Sequence, residues 1–182
     1  MYHIKEDKRS KKSLNLILQA FDRCLEIHPF KDMTITEVCH ESTVSRATFY
    51  RLFDNLEDII IYKCELLAEE FSKSIAGCSV YEVQSKFFSK WMDNISLLKI
   101  IEELHRTEII YDCHQKYMKQ LQTDNQYAGL SNEFTEYHFA ILTSTLVASL
   151  IIWCNHGCKE NADQLVTSVN AAMTDIATLF AS

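Results

Sequence analysis

Three glycines and one proline serve the whole of a 182-residue chain. Sandwiches, barrels and glycine-rich nucleotide folds turn the backbone tightly and often, and so few turn formers exclude them. No G-x-G-x-x-G and no G-x-x-x-x-G-K-[ST] is present, so neither phosphate-cradling loop is available. Hydrophobic residues at 47% and charged residues at 24% are the values of a chain that buries a core. An all-α fold of long helices joined by short polar links is what remains.

Apolar spacing places those helices. Leu14, Ile17, Leu18, Phe21, Leu25 and His28 share one face of a first helix, which stops before Pro29 because the residue preceding proline avoids helical angles. Thr34-Ile35-Thr36-Glu37 is a capping box that opens a short second helix to about Ser42. After the turn Ser42-Thr43-Val44, Ser45 caps a third helix from Arg46 to about Phe53. Asp54-Asn55-Leu56-Glu57 reads as another box. It opens a long fourth helix with the stripe Leu56, Ile60, Cys64, Leu67, Phe71 and Ile75, ending at Ala76-Gly77-Cys78. Phe87, Phe88, Trp91 and Ile95 make the next stripe, followed by Leu97, Leu98, Ile101 and Leu104, then Ile110, Cys113, Tyr117 and Leu121. Gln122 to Asn132 is a polar loop. Asn132 to His156 is apolar on nearly every face, which predicts a helix buried on all sides. Asn161 with Gln164 starts the last helix, striped by Leu165, Val169, Met173, Ile176 and Phe180.

Charge divides unevenly. Residues 1–53 carry nine Lys/Arg and seven Asp/Glu, net +2, whereas residues 54–182 carry nine and eighteen, net −9. A polyanionic partner belongs to the first third, and the remainder repels phosphate. Lys8, Arg9, Lys11 and Lys12 stand at the start of the first helix, the wrong end for its dipole, so they are either solvated or face phosphate. Seven cysteines, an odd number behind a polar N-terminus, point to reduced thiols in a cytoplasm. Phe139 to Cys158 is uncharged for 20 residues but holds Thr143, Ser144, Thr145, Ser149, Asn155 and His156, which favours a core helix over a membrane span.

Two short capped helices joined by a three-residue turn form a helix-turn-helix whose second helix can enter a major groove. Val38, Cys39, Val44, Phe49 and Phe53 can pack the pair together, leaving Ser45, Arg46, Thr48, Tyr50 and Arg51 facing outward. Thr34 to Phe53 resembles the DNA-binding motif of the tetracycline-repressor (TetR) family, most specifically in Val-Ser-Arg-Ala-Thr-Phe-Tyr-Arg-Leu-Phe and the following Asn-Leu-Glu-Asp-Ile. The resemblance covers about residues 9–70. It implies a transcriptional regulator, a repressor in most of the family, that binds a palindromic site on double-stranded DNA as a homodimer and is released by a small-molecule effector. Within it, Thr34 and Thr36 lie at the second helix start, with Thr34 able to bond a phosphate. Ser45 caps the recognition helix, Arg46 and Thr48 read base edges, Tyr50 meets a phosphate, and Arg51 lies beside them. The family usually has glycine where Thr43 stands and often lysine where Leu56 stands. These departures keep open a second reading, a partner-dependent co-regulator or activator with weak direct DNA binding.

The implied division is a head at 1–54, a connecting helix at 55–78, and a ligand-binding and dimerisation domain at 79–182. The last two helices would pair across a two-fold axis, setting two recognition helices about 34–36 Å apart. An effector that prefers wrongly spaced heads would shift the population off DNA, with the fourth helix as the lever. Trp91, His105, Tyr111, His114, Tyr117 and His138 are candidate pocket residues, each with an alternative as an ordinary core or interface group. Cys154-x-His156-x-Cys158 offers three potential ligands around a chain-bending Gly157, short of the usual four of a structural zinc site, so no metal is expected. No cofactor is expected either. No nucleophile–base arrangement or paired carboxylate stands out, which points away from an enzyme.

Overall fold

The computed structural model describes residues 2–4, 7–123 and 136–181. Among them lie nine α-helices: α1 Lys8–Ile27, α2 Ile35–Ser42, α3 Arg46–Tyr50, α4 Glu57–Ser74, α5 Val80–Met92, α6 Ile95–Glu103, α7 Glu108–Thr123, α8 Glu136–Asn155 and α9 Ala162–Ala181. The fold is all-α, with one isolated antiparallel bridge between Tyr2 and Phe53 among the described residues. The chain divides into two compact units, Met1–Lys63 and Cys64–Ser182, and the division falls inside α4.

In the first unit, the Asp7 carboxylate caps α1 by accepting from the backbone N–H groups of Arg9 and Ser10 at 3.0 and 2.9 Å. These bonds, that from Ser10 foremost, hold its pKa below the usual carboxylate range. Leu14, Ile17, Ala20, Phe21 and Cys24 form the buried face of α1. Burial of that face is the main term holding α1 in place, since an isolated helix of this length is marginal in water. Arg23 ties α1 to α2 through Glu41 at 2.5 Å, and Lys63 bonds Asp22 at 2.7 Å. Two boundaries differ from the sequence reading. α3 ends at Tyr50 rather than near Phe53, because Leu52 and Phe53 turn inward to the core and both bond the Phe49 carbonyl. Where a capping box is expected from Asp54 to Glu57, the bonds run through Asn55 and Asp58 instead, and α4 begins at Glu57. Asn55 Oδ1 accepts from the Asp58 N–H at 3.0 Å, and Asp58 Oδ2 accepts from the Asp54 N–H at 2.8 Å.

In the second unit, Gly77 makes the turn after α4, and Ser79 with Glu82 forms a capping box that starts α5. Ile95 opens α6 instead of closing the stripe of α5, since the chain turns at Asp93 and Asn94. α5 meets α9 through a reciprocal amide pair: Gln84 donates to Asn170 at 2.9 Å and accepts from it at 3.0 Å. α7 meets α8 where Gln115 donates to the Phe139 carbonyl at 3.3 Å. Asn161 and Gln164 exchange side-chain and backbone bonds at 3.0 Å, the reciprocal cap that begins α9.

α8 departs from its expected burial on all sides. Phe139, Thr143, Leu146, Val147, Leu150 and Trp153 are buried, whereas Tyr137, Ile141, Ser144, Ala148 and Ile152 are exposed along the other face. Among the described residues, neighbours cover one side of the helix. Tyr137–Asn155 is long and apolar enough to cross a membrane, with a mean hydropathy of 1.6. α9 is exposed at every position from 171 to 180. The polar loop expected at 122–132 and the helix start expected at Asn132 lie largely outside the described residues.

Candidate nucleic-acid interface

The site is built by two helix ends and a turn. At the start of α2, Thr34 Oγ1 accepts from the Glu37 N–H at 3.3 Å and donates to Glu37 Oε2 at 2.8 Å, while the Thr34 N–H donates to the same oxygen at 2.8 Å. The bond from the Thr34 hydroxyl is the chief reason the Glu37 carboxyl stays below its usual range. At the other end, the N–H groups of Thr43 and Val44 bond the carbonyls of His40 and Cys39 at 3.2 and 3.1 Å. These are the two bonds of a Schellman motif. Its left-handed position is Thr43, at φ 56° and ψ 23°.

Immediately after this motif, Ser45 caps α3. Its Oγ accepts from the Thr48 N–H at 3.2 Å and donates to Thr48 Oγ1 at 3.1 Å. Val38, Cys39, Val44, Phe49 and Phe53 are buried between the helices, and Ser45, Arg46, Tyr50 and Arg51 are exposed. Thr48 is half-buried. Arg46 donates from Nη2 to Thr36 Oγ1, so the guanidinium is oriented by a hydroxyl of α2 before any ligand is present. The outward surface therefore carries two guanidinium groups, the Tyr50 phenol (52% exposed) and two hydroxyls, the chemistry that phosphates and base edges accept. Lys8, Arg9, Lys11 and Lys12 are exposed at the start of α1. Arg51 lies near enough to Asp7 to help lower its pKa.

The six candidate pocket residues have different surroundings. Trp91 and His114 are together and fully enclosed: the indole Nε1 donates to His114 Nε2 at 3.1 Å. The imidazole also lies 4.9 Å from the Phe87 ring and 5.1 Å from that of Phe71. Burial lowers the His114 pKa to about 3, so the ring is a neutral acceptor. Tyr117 and Tyr111 are half-buried on the same helix, Lys116 standing 5.5 Å over the Tyr117 ring. His105 occupies an exposed left-handed position after α6, and His138 is exposed on α8. A groove of about 280 Å³ between α4 and α5 is walled by none of the six. Its lysines, Lys86 and Lys90, are engaged with the Ser74 carbonyl and Glu70. All seven cysteines are free thiols, and no group of three or more His, Cys, Asp or Glu among the described residues could hold a metal ion. Burial pushes the Cys113 thiol up to about 12, an inert state.

One feature of the head carries no sequence signal. The first described residues fold back across the end of α3: the His3 N–H donates to the Leu52 carbonyl at 2.8 Å, and His3 Nε2 lies 3.2 Å from Asp54. Three residues are too few to show a period.

Comparison with family models and with curated proteins finds no match. Among solved structures, Lin0861 from Listeria innocua is similar with a TM-score of 0.74 at 17% identity, over 96% of this chain and 98% of that one. The fatty acid degradation regulator FadR from Bacillus halodurans is similar with a TM-score of 0.53 at 17% identity, over 91% of this chain and 94% of that one. The likeness is one of fold, and it extends over nearly the full length of both.

Proposed function

We propose that this chain is a DNA-binding transcriptional regulator of the tetracycline-repressor type. It acts as a homodimer on a palindromic site and responds to a small-molecule effector. The observation that carries the reading is the pair α2 and α3, capped at Thr34 and Ser45 and closed by the Thr43 turn. This pair buries its apolar side and turns Ser45, Arg46, Tyr50 and Arg51 outward. The likeness in fold to a regulator of fatty acid degradation supports a regulatory role. Free thiols throughout are in keeping with a cytoplasmic site of action. The homodimer is supported by the exposed apolar faces of α8 and α9, and the effector by the resemblance of the head.

Arg46 is the principal base reader in this proposal, because a guanidinium can bond guanine O6 and N7 together at about 1–3 kcal/mol of discrimination. The test selects duplexes from a random pool with the intact chain, then measures Arg46→Ala on the best of them. We expect a loss of about ten- to a hundredfold in affinity with random-duplex binding little changed. Unchanged affinity for the selected duplex refutes the assignment.

A further inference from the structure

We propose that Tyr2 and His3 are positioning residues for α3, an inference that rests on reading α3 as the DNA-reading helix. α3 has five helical residues, and its own hydrogen bonds cannot hold it rigid, because a single turn costs more order than it returns. The turn that follows it, Arg51 to Asp54, is held by the first residues. The His3 N–H satisfies the Leu52 carbonyl at 2.8 Å, Tyr2 bridges to Phe53, and the His3 imidazole meets Asp54 at 3.2 Å. Tyr2 starts a run of ring contacts that ends at the reading surface. The Tyr2 ring lies 5.2 Å from Tyr62, Tyr62 lies 6.1 Å from Phe53, Phe53 lies 5.9 Å from Phe49, and Phe49 lies 5.7 Å from Tyr50. Tyr50 is half exposed at the end of that run. A hydrogen bond to a base or phosphate tolerates only a few tenths of an ångström. A segment that fixes both the turn after α3 and the ring beneath Tyr50 therefore governs how well the surface fits a duplex.

The test compares the full chain with Tyr2→Ala, Tyr2→Phe and Tyr2→Leu. Three quantities are read: amide hydrogen exchange over residues 46–53, thermal unfolding, and affinity for a duplex selected by the unaltered chain against affinity for random duplex. Tyr2→Ala is expected to speed exchange over 46–53 at least tenfold, with exchange in α1 unchanged. It is also expected to weaken selected-duplex binding about tenfold with random-duplex binding unchanged, and Tyr2→Phe restores both. If Tyr2→Ala does not fold, Tyr2→Leu keeps apolar bulk without the ring and is expected to show the same split. Unchanged exchange over 46–53 overturns the proposal. So does faster exchange with undiminished selectivity, or an equal loss on both duplexes. A chain that selects no duplex defeats the DNA-binding reading instead, and exchange over 46–53 then decides alone whether Tyr2 holds α3.

Discussion

Thr43 holds a backbone conformation that suits glycine. A β-branched side chain at positive φ is a genuine outlier, with a cost on the order of 1–3 kcal/mol. The family resemblance already marks this position, since that family usually has glycine there and threonine leaves strain or another shape. The structure keeps the shape, closing the Schellman bonds at 3.2 and 3.1 Å, and accepts the strain. Thr43→Gly is therefore expected to stabilise the head. Relief of the left-handed conformation exceeds the extra chain entropy that glycine brings to the unfolded state. The net gain is about 1 kcal/mol, or about 2–4 °C in Tm for a chain of this size. A thermal scan of the variant checks it. Arg46 shows the other limit of residue-level reading. Its exposure followed from the pattern, but its bond to Thr36 depends on how α2 and α3 cross, which no local spacing encodes.

At the scale of elements, reciprocal caps were the most legible signal, since the residues that make them lie three apart. Thr34 with Glu37 and Asn161 with Gln164 fall where the spacing puts them. α4 starts two residues after the expected position because Asp54, Asn55 and Asp58 can all cap, and the Asn55 amide oxygen takes the Asp58 N–H while the buried Asp58 carboxylate takes that of Asp54. α7 was legible as a helix, but the surroundings of its histidine were not. His114 links α7 to α5 through Trp91 and to α4 through Phe71, contacts between residues far apart in sequence. This linkage has a pH signature. The folded pKa of about 3 lies below the ordinary 6.5. The stabilisation from a neutral, buried ring is thus complete above pH 6.5 and is lost as pH falls toward 3. The slope approaches about 1.4 kcal/mol per pH unit once the unfolded chain is protonated. Between pH 6.5 and 5 the lowered carboxyls of Glu37 and Glu82 remain ionised and do not obscure it. His114→Gln keeps an acceptor for the indole and cannot titrate. Urea unfolding from pH 5 to 8 is expected to slope downward toward acid for the parent and to flatten for the variant.

For the molecule as a whole, composition decided the class: three glycines and one proline excluded every fold that turns often, and the structure is all-α. Composition could not say which apolar faces a single copy leaves open. α8 exposes Tyr137, Ile141 and Ile152, and α9 exposes Met173, Ile176, Leu179 and Phe180, a set of large apolar groups that a monomer rarely leaves uncovered. In the proposed homodimer a second copy covers them, and Ile152→Asp combined with Ile176→Asp is expected to convert it to single chains. Both positions are solvent-exposed within one copy, so its own fold is retained. Sedimentation velocity checks the mass. Binding to a two-half-site duplex is expected to fall at least a hundredfold, toward that of a single half-site.

The last ten residues of α9 have a consequence for the life of the polypeptide. Helical turns whose side chains face solvent open more readily than packed ones, and opened backbone is where proteases cut. Phe180 is 88% exposed near the end of that stretch. In the proposed homodimer, a freshly synthesised subunit that has not met its mate thus presents a degradable helix, and pairing hides it. Turnover would then be fastest when copies are scarce, so that abundance is set jointly by synthesis and by mutual protection.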